Sequence, residues 1–232
     1  MIKIAFFVEG LTEQIFVNRL LLEIFGANNI SITTILMSGG STSKLNKQTI
    51  STLNCQQEIK YTFLIYNCSS DSTVKSYILE ERATLIKANY SKIIGLLDLF
   101  PKTKEDFNRF LTGLQYQTPT KDITIKYIIS VMEVESWFLG EDTHFERIDS
   151  ELTITKIESN LGFNPSTECM EERDHPSLDL NNCYQLVGKA YNKTTKHISR
   201  TVDNLDISHL YINKREILSS LNELITEIES LL

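Results

Sequence analysis

The sequence contains no apolar run long enough to cross a bilayer, since such a helix needs about 20 predominantly apolar residues. The chain also reaches an acidic residue, Glu9, too soon for the apolar core of a signal peptide. We therefore expect a cytoplasmic protein with no membrane partner. In that compartment its cysteines should be reduced thiols.

Cysteines and histidines are few and widely spaced, which disfavours most metal and nucleophile motifs. Neither residue type shows the short spacing of a zinc ligand set, and no Ser/His/Asp or Cys/His arrangement is recognisable. The residues are Cys55, Cys68, Cys169 and Cys183, together with His144, His175, His197 and His209. We expect idle thiols, and imidazoles in surface or hydrogen-bonded positions.

Basic residues are in the minority. Lys and Arg number 23 against 30 Asp and Glu, which gives a formal net charge of -7. This balance disfavours a protein that coats nucleic acid by bulk attraction. It does not exclude a nuclease, because metal ions held by carboxylates can supply positive charge at the cleavage point.

Short apolar runs alternate with helical patterns in the first part of the chain. The predicted strands cover residues 2–8, 30–37, 61–66, 92–97 and 123–132. Strands and helices alternating at this spacing indicate βαβ units and a mainly parallel sheet flanked by helices. Residues 38–58 are polar without clear periodicity, which indicates a loop or a short exposed helix.

From residue 150 onward the patterns are helical and no segment resembles a strand. They predict a helix around residues 184–191 and a terminal helix over residues 217–232. We therefore expect an α/β domain at residues 1–145 and a helical carboxyl-terminal extension at residues 146–232 that packs on it.

Glu9 follows the first apolar run, in the stretch VEGLTE. In open α/β sheets, ligands bind in the crevice beyond the carboxyl ends of the strands. Glu9 is therefore either a site residue or a solvent-facing acid at a strand end, and this stretch alone does not decide between them. Thr12 is a candidate cap for the following helix, and Glu13 a capping or dipole acid.

Further acids follow later strands: Asp98 ends the fourth predicted strand, while Glu133 and Glu135 follow the fifth. Carboxylates gathered at one sheet edge are what Mg²⁺ requires, because it takes oxygen ligands and completes its shell with water and substrate phosphate. Like charges brought together without a cation would be costly. The acids therefore predict a divalent-metal site, with Mg²⁺ or Mn²⁺ as the cofactor.

Glu133 and Glu135 would share a face in a strand but would point roughly 200° apart in a helix. If the run from Trp137 to Leu139 begins a buried helix, only one glutamate reaches the site. We expect Glu135 to be the inward residue and Glu133 to be a supporting or surface acid.

Two other ligand motifs fit poorly. Asp98 also resembles the phosphoacceptor of a receiver domain, but a receiver needs paired acids after its first strand and a lysine after its fifth. The glycine-rich segment MSGGSTSK lacks the spacing of a Walker phosphate loop.

Three motifs in order resemble the TOPRIM superfamily of topoisomerases, primases and overcoming-lysogenisation-defect nucleases: VEGLTE, GLLDLFP and MEVESWFLG. The combination is most similar to a family of small stand-alone TOPRIM-like bacterial proteins of uncharacterised function, suspected of roles in phage defence. The resemblance extends to a Tyr-x-Lys near the end, Tyr191 to Lys193. It implies a TOPRIM-like, Rossmann-like fold.

By this resemblance Glu9 is a metal ligand or general acid/base, and Asp98 is the first aspartate of the Asp-x-Asp metal motif. Glu135 is a further acid of the close family. Lys193 is a candidate to neutralise phosphate or transition-state charge, although a lone lysine on a helix is more typically solvated.

The chain departs from the family pattern at Phe100, which stands where the second aspartate is expected. Two-metal catalysis then requires a substitute acid from Glu133, Glu135 or Asp106.

The sequence therefore predicts a Mg²⁺- or Mn²⁺-dependent nuclease of DNA or RNA, with catalytic residues Glu9, Asp98, Glu135 and Lys193 and metal ligands Glu9, Asp98, Glu133 and Glu135. The alternative is a catalytically weak TOPRIM-like module that binds an ATPase in a defence or repair complex. A homo-oligomer remains open in either case.

Overall fold

The computed structural model describes residues 1–40, 43–54 and 59–231. The chain forms two compact units. One unit comprises Met1–Leu97 and Glu105–Ile129, and the other comprises Asp98–Lys104 and Ser130–Leu232. The predicted limit between residues 145 and 146 stays a prediction.

A six-stranded, mostly parallel sheet flanked by helices confirms the predicted α/β class. In spatial order its strands are β3, β2, β4, β1, β5 and β6. Their bounds are β1 Ile2–Val8, β2 Ile30–Gly40, β3 Ser43–Asn54, β4 Tyr61–Asn67, β5 Lys92–Asp98 and β6 Thr124–Ser130. β1 pairs in parallel with both β4 and β5, and β2 pairs in parallel with β4.

β1 is a central strand because both of its faces are apolar. Every side chain from Ile4 to Val8 has 0% exposure, and Phe7 stacks on Tyr66 of β4 with ring centroids 4.5 Å apart. A continuous apolar run is the expected composition of a parallel strand covered on both sides. This arrangement places Glu9 directly at the carboxyl end of β1.

The helices of the first unit are α1 Leu11–Phe25, α2 Asp71–Lys87 and α3 Phe107–Gln115. The backbone N–H of Gly10 donates to Oε2 of Glu13 at 2.8 Å, which confirms Glu13 as a capping acid. The prediction that Thr12 caps this helix is wrong, because Thr12 lies inside α1 and is buried.

The segment over residues 38–58, predicted as a loop or short helix, contains the end of β2 and the whole of the strand β3. β3 pairs antiparallel with β2 at the edge of the sheet. An edge strand with solvated side chains needs no apolar periodicity, because its backbone hydrogen bonds supply the order. Residues 41–42 and 55–58, including Cys55, lie outside the described residues.

The second unit is helical: its described residues from 150 to 231 contain no strand. Its helices are α4 Glu135–Gly140, α5 His144–Ile148, α6 Ile154–Leu161, α7 Pro176–Gln185, α8 Thr195–Asn204, α9 Ile207–His209 and α10 Ser219–Glu229. A 3-10 turn at Met170–Glu172 and a π-helical turn at Leu210–Lys214 complete it. In the described part of the chain, no helix has both the length and the apolar character to cross a membrane.

Candidate metal centre

Three carboxylates of the second unit converge on one point. Ligand oxygens of Asp98, Glu133 and Glu135 all lie within 4.8 Å of one another, and all three residues are buried. Asp98 ends β5, Glu133 follows the turn after β6, and Glu135 begins α4. The three acids predicted after these two strands therefore meet in the structure.

A tight turn after β6 brings both glutamates inward. Met132 adopts a φ of 61°, and the N–H of Glu133 donates to the carbonyl of Val131 at 3.0 Å. Glu133 thus precedes α4, and the helical spacing of 200° does not apply to the pair. The expectation that only one glutamate points inward is wrong for this reason: Glu133 is 6% exposed and Glu135 is 0% exposed.

Asp98 is held by two donors on one oxygen. Its Oδ1 accepts hydrogen bonds from the hydroxyl of Ser130 at 2.5 Å and from the backbone N–H of Val134 at 3.0 Å. Ser130 ends β6 and Val134 lies between the two glutamates. The same backbone segment that carries the glutamates therefore fixes the orientation of the aspartate.

Glu133 is fixed by the first turn of α7. The backbone N–H of Ser177 donates to Oε2 at 2.9 Å, and the Ser177 hydroxyl donates to Oε1 at 2.8 Å. Lys193 Nζ lies 3.0 Å from Oε1. Burial by itself raises the pKa of Glu133, but the Lys193 charge and the Ser177 donors outweigh it, so the pKa is lowered.

Glu135 is the most deeply buried carboxylate of the three. The hydroxyl of Tyr191 donates to Oε1 at 2.7 Å, whereas Oε2 accepts no hydrogen bond from the described residues and lies 3.3 Å from Lys193 Nζ. Burial and the neighbouring Glu133 charge raise the pKa of Glu135 above its ordinary value, against the opposing effects of Lys193 and Tyr191.

Lys193 is an ion-pair partner of this cluster. It has a φ of 52° and lies between α7 and α8, so the prediction that this lysine lies on a helix is wrong. Burial favours its neutral form, but the charges of Glu135, Asp98 and Glu133 outweigh burial and raise the pKa of Lys193. Its side chain is still 42% exposed.

Glu9 lies in the first unit, where its backbone N–H donates to the carbonyl of Leu96 at 3.2 Å. Burial and the charge of Glu9 both raise the pKa of the buried Cys68 thiol. The assignment of Glu9 as a ligand or general acid/base stays a prediction. Asp106, the proposed substitute acid, also lies in the first unit, in the 3-10 turn before α3.

A second group of potential ligands was not anticipated from the sequence. Glu141, Asp142 and His209 bring ligand atoms within 4.8 Å of one another. Asp142 of this group is paired with the neighbouring Lys214, whose Nζ lies 2.8 Å from its Oδ1, and it also lies 3.0 Å from Nε2 of His209. The group is better described as a structural ion-pair network.

Sequence reasoning missed Ser177, which lies 44 residues from Glu133 and has no motif to mark it. Tyr191 was visible in the Tyr-x-Lys pattern and at the end of the helix predicted around residues 184–191, a prediction that is wrong because α7 ends at Gln185. Its hydrogen bond to Glu135 depends on the path of the chain between α7 and α8, which no local pattern encodes.

No family model, curated protein or solved structure matches the chain. The TOPRIM resemblance therefore rests on the three motifs and the Tyr-x-Lys pattern. What can be argued about function comes from the geometry of the acidic cluster formed by Asp98, Glu133 and Glu135.

Proposed function

We propose that the acidic cluster binds Mg²⁺ or Mn²⁺ and that the protein is a nuclease that hydrolyses phosphodiester bonds of DNA or RNA. The observation that carries the proposal is the convergence of Asp98, Glu133 and Glu135 on one point inside the second unit. Lys193 supplies one positive charge to these three buried carboxylates, and a bound divalent cation would offset the remaining repulsion among them. The TOPRIM resemblance adds the expectation of a role in phage defence.

The donor set fits a hard divalent cation. All the ligand atoms are carboxylate oxygens, which Mg²⁺ and Mn²⁺ prefer to nitrogen or sulfur. Oε2 of Glu135 accepts no hydrogen bond from the described residues, so one lone-pair direction of a fully buried oxygen remains available. A bound cation would satisfy it.

Each residue of the cluster has a definable task in this proposal. Asp98, Glu133 and Glu135 hold the cation, which when bound polarises a phosphate and lowers the pKa of a water molecule. Ser177 and Tyr191 hold the glutamates in place, as supporting hydrogen bonds commonly do for metal ligands. Lys193 pairs with Glu133 and Glu135 through a partly exposed side chain, and its task in the proposal is to pair with a substrate phosphate.

The TOPRIM resemblance contributes Glu9 as an additional ligand or general acid/base. By the same resemblance Phe100 stands where the Asp-x-Asp motif has its second aspartate, so position 100 contributes no ligand. A single-cation mechanism is therefore our preferred form of the proposal.

Cleavage assays on labelled DNA and RNA oligonucleotides, with Mg²⁺ or Mn²⁺, test the proposal. We expect wild-type cleavage that chelation abolishes and that Asp98→Asn lowers by at least about 100-fold. Asp142→Asn, the same substitution in the second acidic group, is the matched control and should retain activity. Equal cleavage by wild type and Asp98→Asn would contradict the proposal, as would an inactive wild type.

The alternative function is a binding module for an ATPase partner. Two observations favour it: Lys193 already supplies a positive charge to Glu133 and Glu135, and Phe100 presents an exposed apolar ring where a second aspartate is expected. Affinity purification combined with metal titration separates the two functions. A pure binding module retains an ATPase partner and shows no carboxylate-dependent Mg²⁺ affinity.

A further inference from the structure

Two exposed aromatic rings contact each other in the second unit. Phe100 is 40% exposed, although it follows Leu99, which has no exposure. Its ring centroid lies 5.9 Å from that of His175, itself exposed, with an interplanar angle of 79°. Both residues remain exposed in this edge-to-face contact, so ring surface is open to solvent.

Phe100 and His175 each lie two residues from a member of the acidic cluster or from a residue that orients one. Phe100 lies two residues after Asp98, and its N–H donates to the carbonyl of Met132 at 2.8 Å. His175 lies two residues before Ser177, which donates to both oxygens of Glu133. Two residues of extended chain span at most about 7 Å. The Cα atoms of Phe100 and His175 therefore lie within about 7 Å of those of Asp98 and Ser177, respectively.

We propose that the ring of Phe100, which His175 contacts edge-to-face, is a stacking platform for an unpaired nucleobase beside the acidic cluster. This inference rests on the proposed nuclease function and narrows its substrate to single-stranded nucleic acid or unpaired ends. Exposed Phe and His rings stack on bases whose faces are free. In a duplex those faces are covered by neighbouring base pairs.

The platform also gives a physical reason for an apolar ring at position 100. A carboxylate there would add to the negative charge that already repels a phosphodiester backbone, whereas a phenyl ring adds attraction that does not depend on base identity. Recognition through stacking and one adjacent phosphate predicts weak sequence preference.

The nearby chain supplies a matched control. Leu178 on α7 is 53% exposed and lies three residues after His175, but it has no aromatic face. Leu178→Ala removes exposed apolar surface at the start of α7, three residues after His175, without removing an aromatic ring. A difference between Phe100→Ala and Leu178→Ala therefore reports stacking and not general hydrophobic contact.

Fluorescence anisotropy with a labelled 20-nucleotide oligo(dT) and a 20-base-pair duplex tests the inference, with Ca²⁺ present as an oxygen-preferring cation. We expect wild type to bind the single strand more tightly than the duplex. Phe100→Ala should weaken single-strand binding about tenfold, while Phe100→Trp and Leu178→Ala should stay within about twofold of wild type. Duplex binding should be the same in all four proteins.

Four results would overturn the platform: no single-strand binding by wild type, no loss in Phe100→Ala, equal losses in Phe100→Ala and Leu178→Ala, or an equal loss on the duplex. The cleavage assay separates its failure from failure of the proposed function. If Asp98→Asn abolishes metal-dependent cleavage and Phe100→Ala binds the single strand as tightly as wild type does, the nuclease proposal is supported and the platform is wrong. If wild type neither cleaves nor binds nucleic acid, both fall.

Discussion

The hydroxyl of Tyr191 donates a hydrogen bond of 2.7 Å to Oε1 of Glu135, a carboxylate with no solvent exposure. This bond satisfies one oxygen and leaves Oε2 facing Lys193 Nζ at 3.3 Å. Tyr191 thereby determines which oxygen of Glu135 is available to a cation.

Replacement of Tyr191 by Phe should weaken Mn²⁺ binding about tenfold, because outer hydrogen bonds orient metal ligands. It should also lower the free energy of unfolding by about 1–3 kcal/mol, since a buried acceptor loses its donor. Isothermal titration and urea denaturation measure the two effects.

Tyr184→Phe is the matched control for that substitution. The buried Tyr184 hydroxyl lies 3.0 Å from both Nε2 of His144 and Oγ1 of Thr201. Its loss should destabilise the fold to a similar extent and leave Mn²⁺ affinity unchanged. Equal losses of Mn²⁺ affinity in the two variants would show that Tyr191 acts through general stability.

Replacement of Lys193 by Met should leave Glu133 and Glu135 without a cation. We expect the unfolding free energy in chelator to fall by about 1–3 kcal/mol, less than for a fully buried pair because the lysine is 42% exposed. Mn²⁺ should then raise the melting temperature more in the variant than in wild type.

Lys189→Met serves as the comparison, because Lys189 pairs with Asp149 elsewhere in the second unit. It should show the same Mn²⁺-induced shift as wild type. The account is wrong about Lys193 if its removal leaves both the stability and the Mn²⁺ response unchanged.

Glu171 caps α10 and connects it to the segment that carries the cluster. It accepts four hydrogen bonds from the backbones and hydroxyls of Ser219 and Ser220, and the Ser220 hydroxyl in turn accepts from Nε1 of Trp137 at 2.9 Å. Glu171→Gln should lower the unfolding free energy by about 1–3 kcal/mol, because an amide nitrogen cannot accept these bonds. Glu172→Gln, at an exposed position, should change it by less than about 0.5 kcal/mol in the same denaturation experiment.

His144 should make stability depend on pH. It is fully buried, and burial together with the nearby Arg147 lowers its pKa to about 4, against the opposing effects of the Glu141 carbonyl and Asp142. The unfolded chain has the ordinary value of about 6.5. Between these two values the unfolded state binds a proton that the folded state does not.

The contribution of His144 is therefore fully present above about pH 6.5 and falls by about 3 kcal/mol as the pH drops to 4. Urea denaturation of wild type and His144→Gln across this range measures it. Burial raises the pKa of Glu141, which titrates in the opposite sense, so the difference between the two proteins isolates the histidine. Parallel stability curves for the two proteins would contradict the assignment.

The buried strands could be predicted from the sequence because strands that are buried on both faces consist of continuous apolar residues. The continuous apolar runs of β1 and β5 have the lengths and the two-sided apolar character of parallel strands. The predicted bounds match for β1, and β5 extends one residue beyond its prediction, to Asp98. β3 was not predicted, since an edge strand takes its order from pairing with β2 and its polar side chains carry no period.

The candidate site was readable only in part. Asp98 could be placed because it ends an apolar run, but the joint orientation of Glu133 and Glu135 depends on the positive φ of Met132, which residue type does not favour. Ser177 and Lys193 reach the cluster through tertiary packing of segments far away in sequence. Those contacts follow from the fold of the second unit and not from any local pattern.

The central claim is that Asp98, Glu133 and Glu135 bind a divalent cation. Mn²⁺ titration followed by electron paramagnetic resonance, on wild type, Asp98→Asn and Asp142→Asn, tests it most directly. We expect saturable binding by wild type and Asp142→Asn, with the affinity of Asp98→Asn reduced at least about tenfold. Equal Mn²⁺ binding by wild type and Asp98→Asn, or no binding by wild type, would contradict the claim.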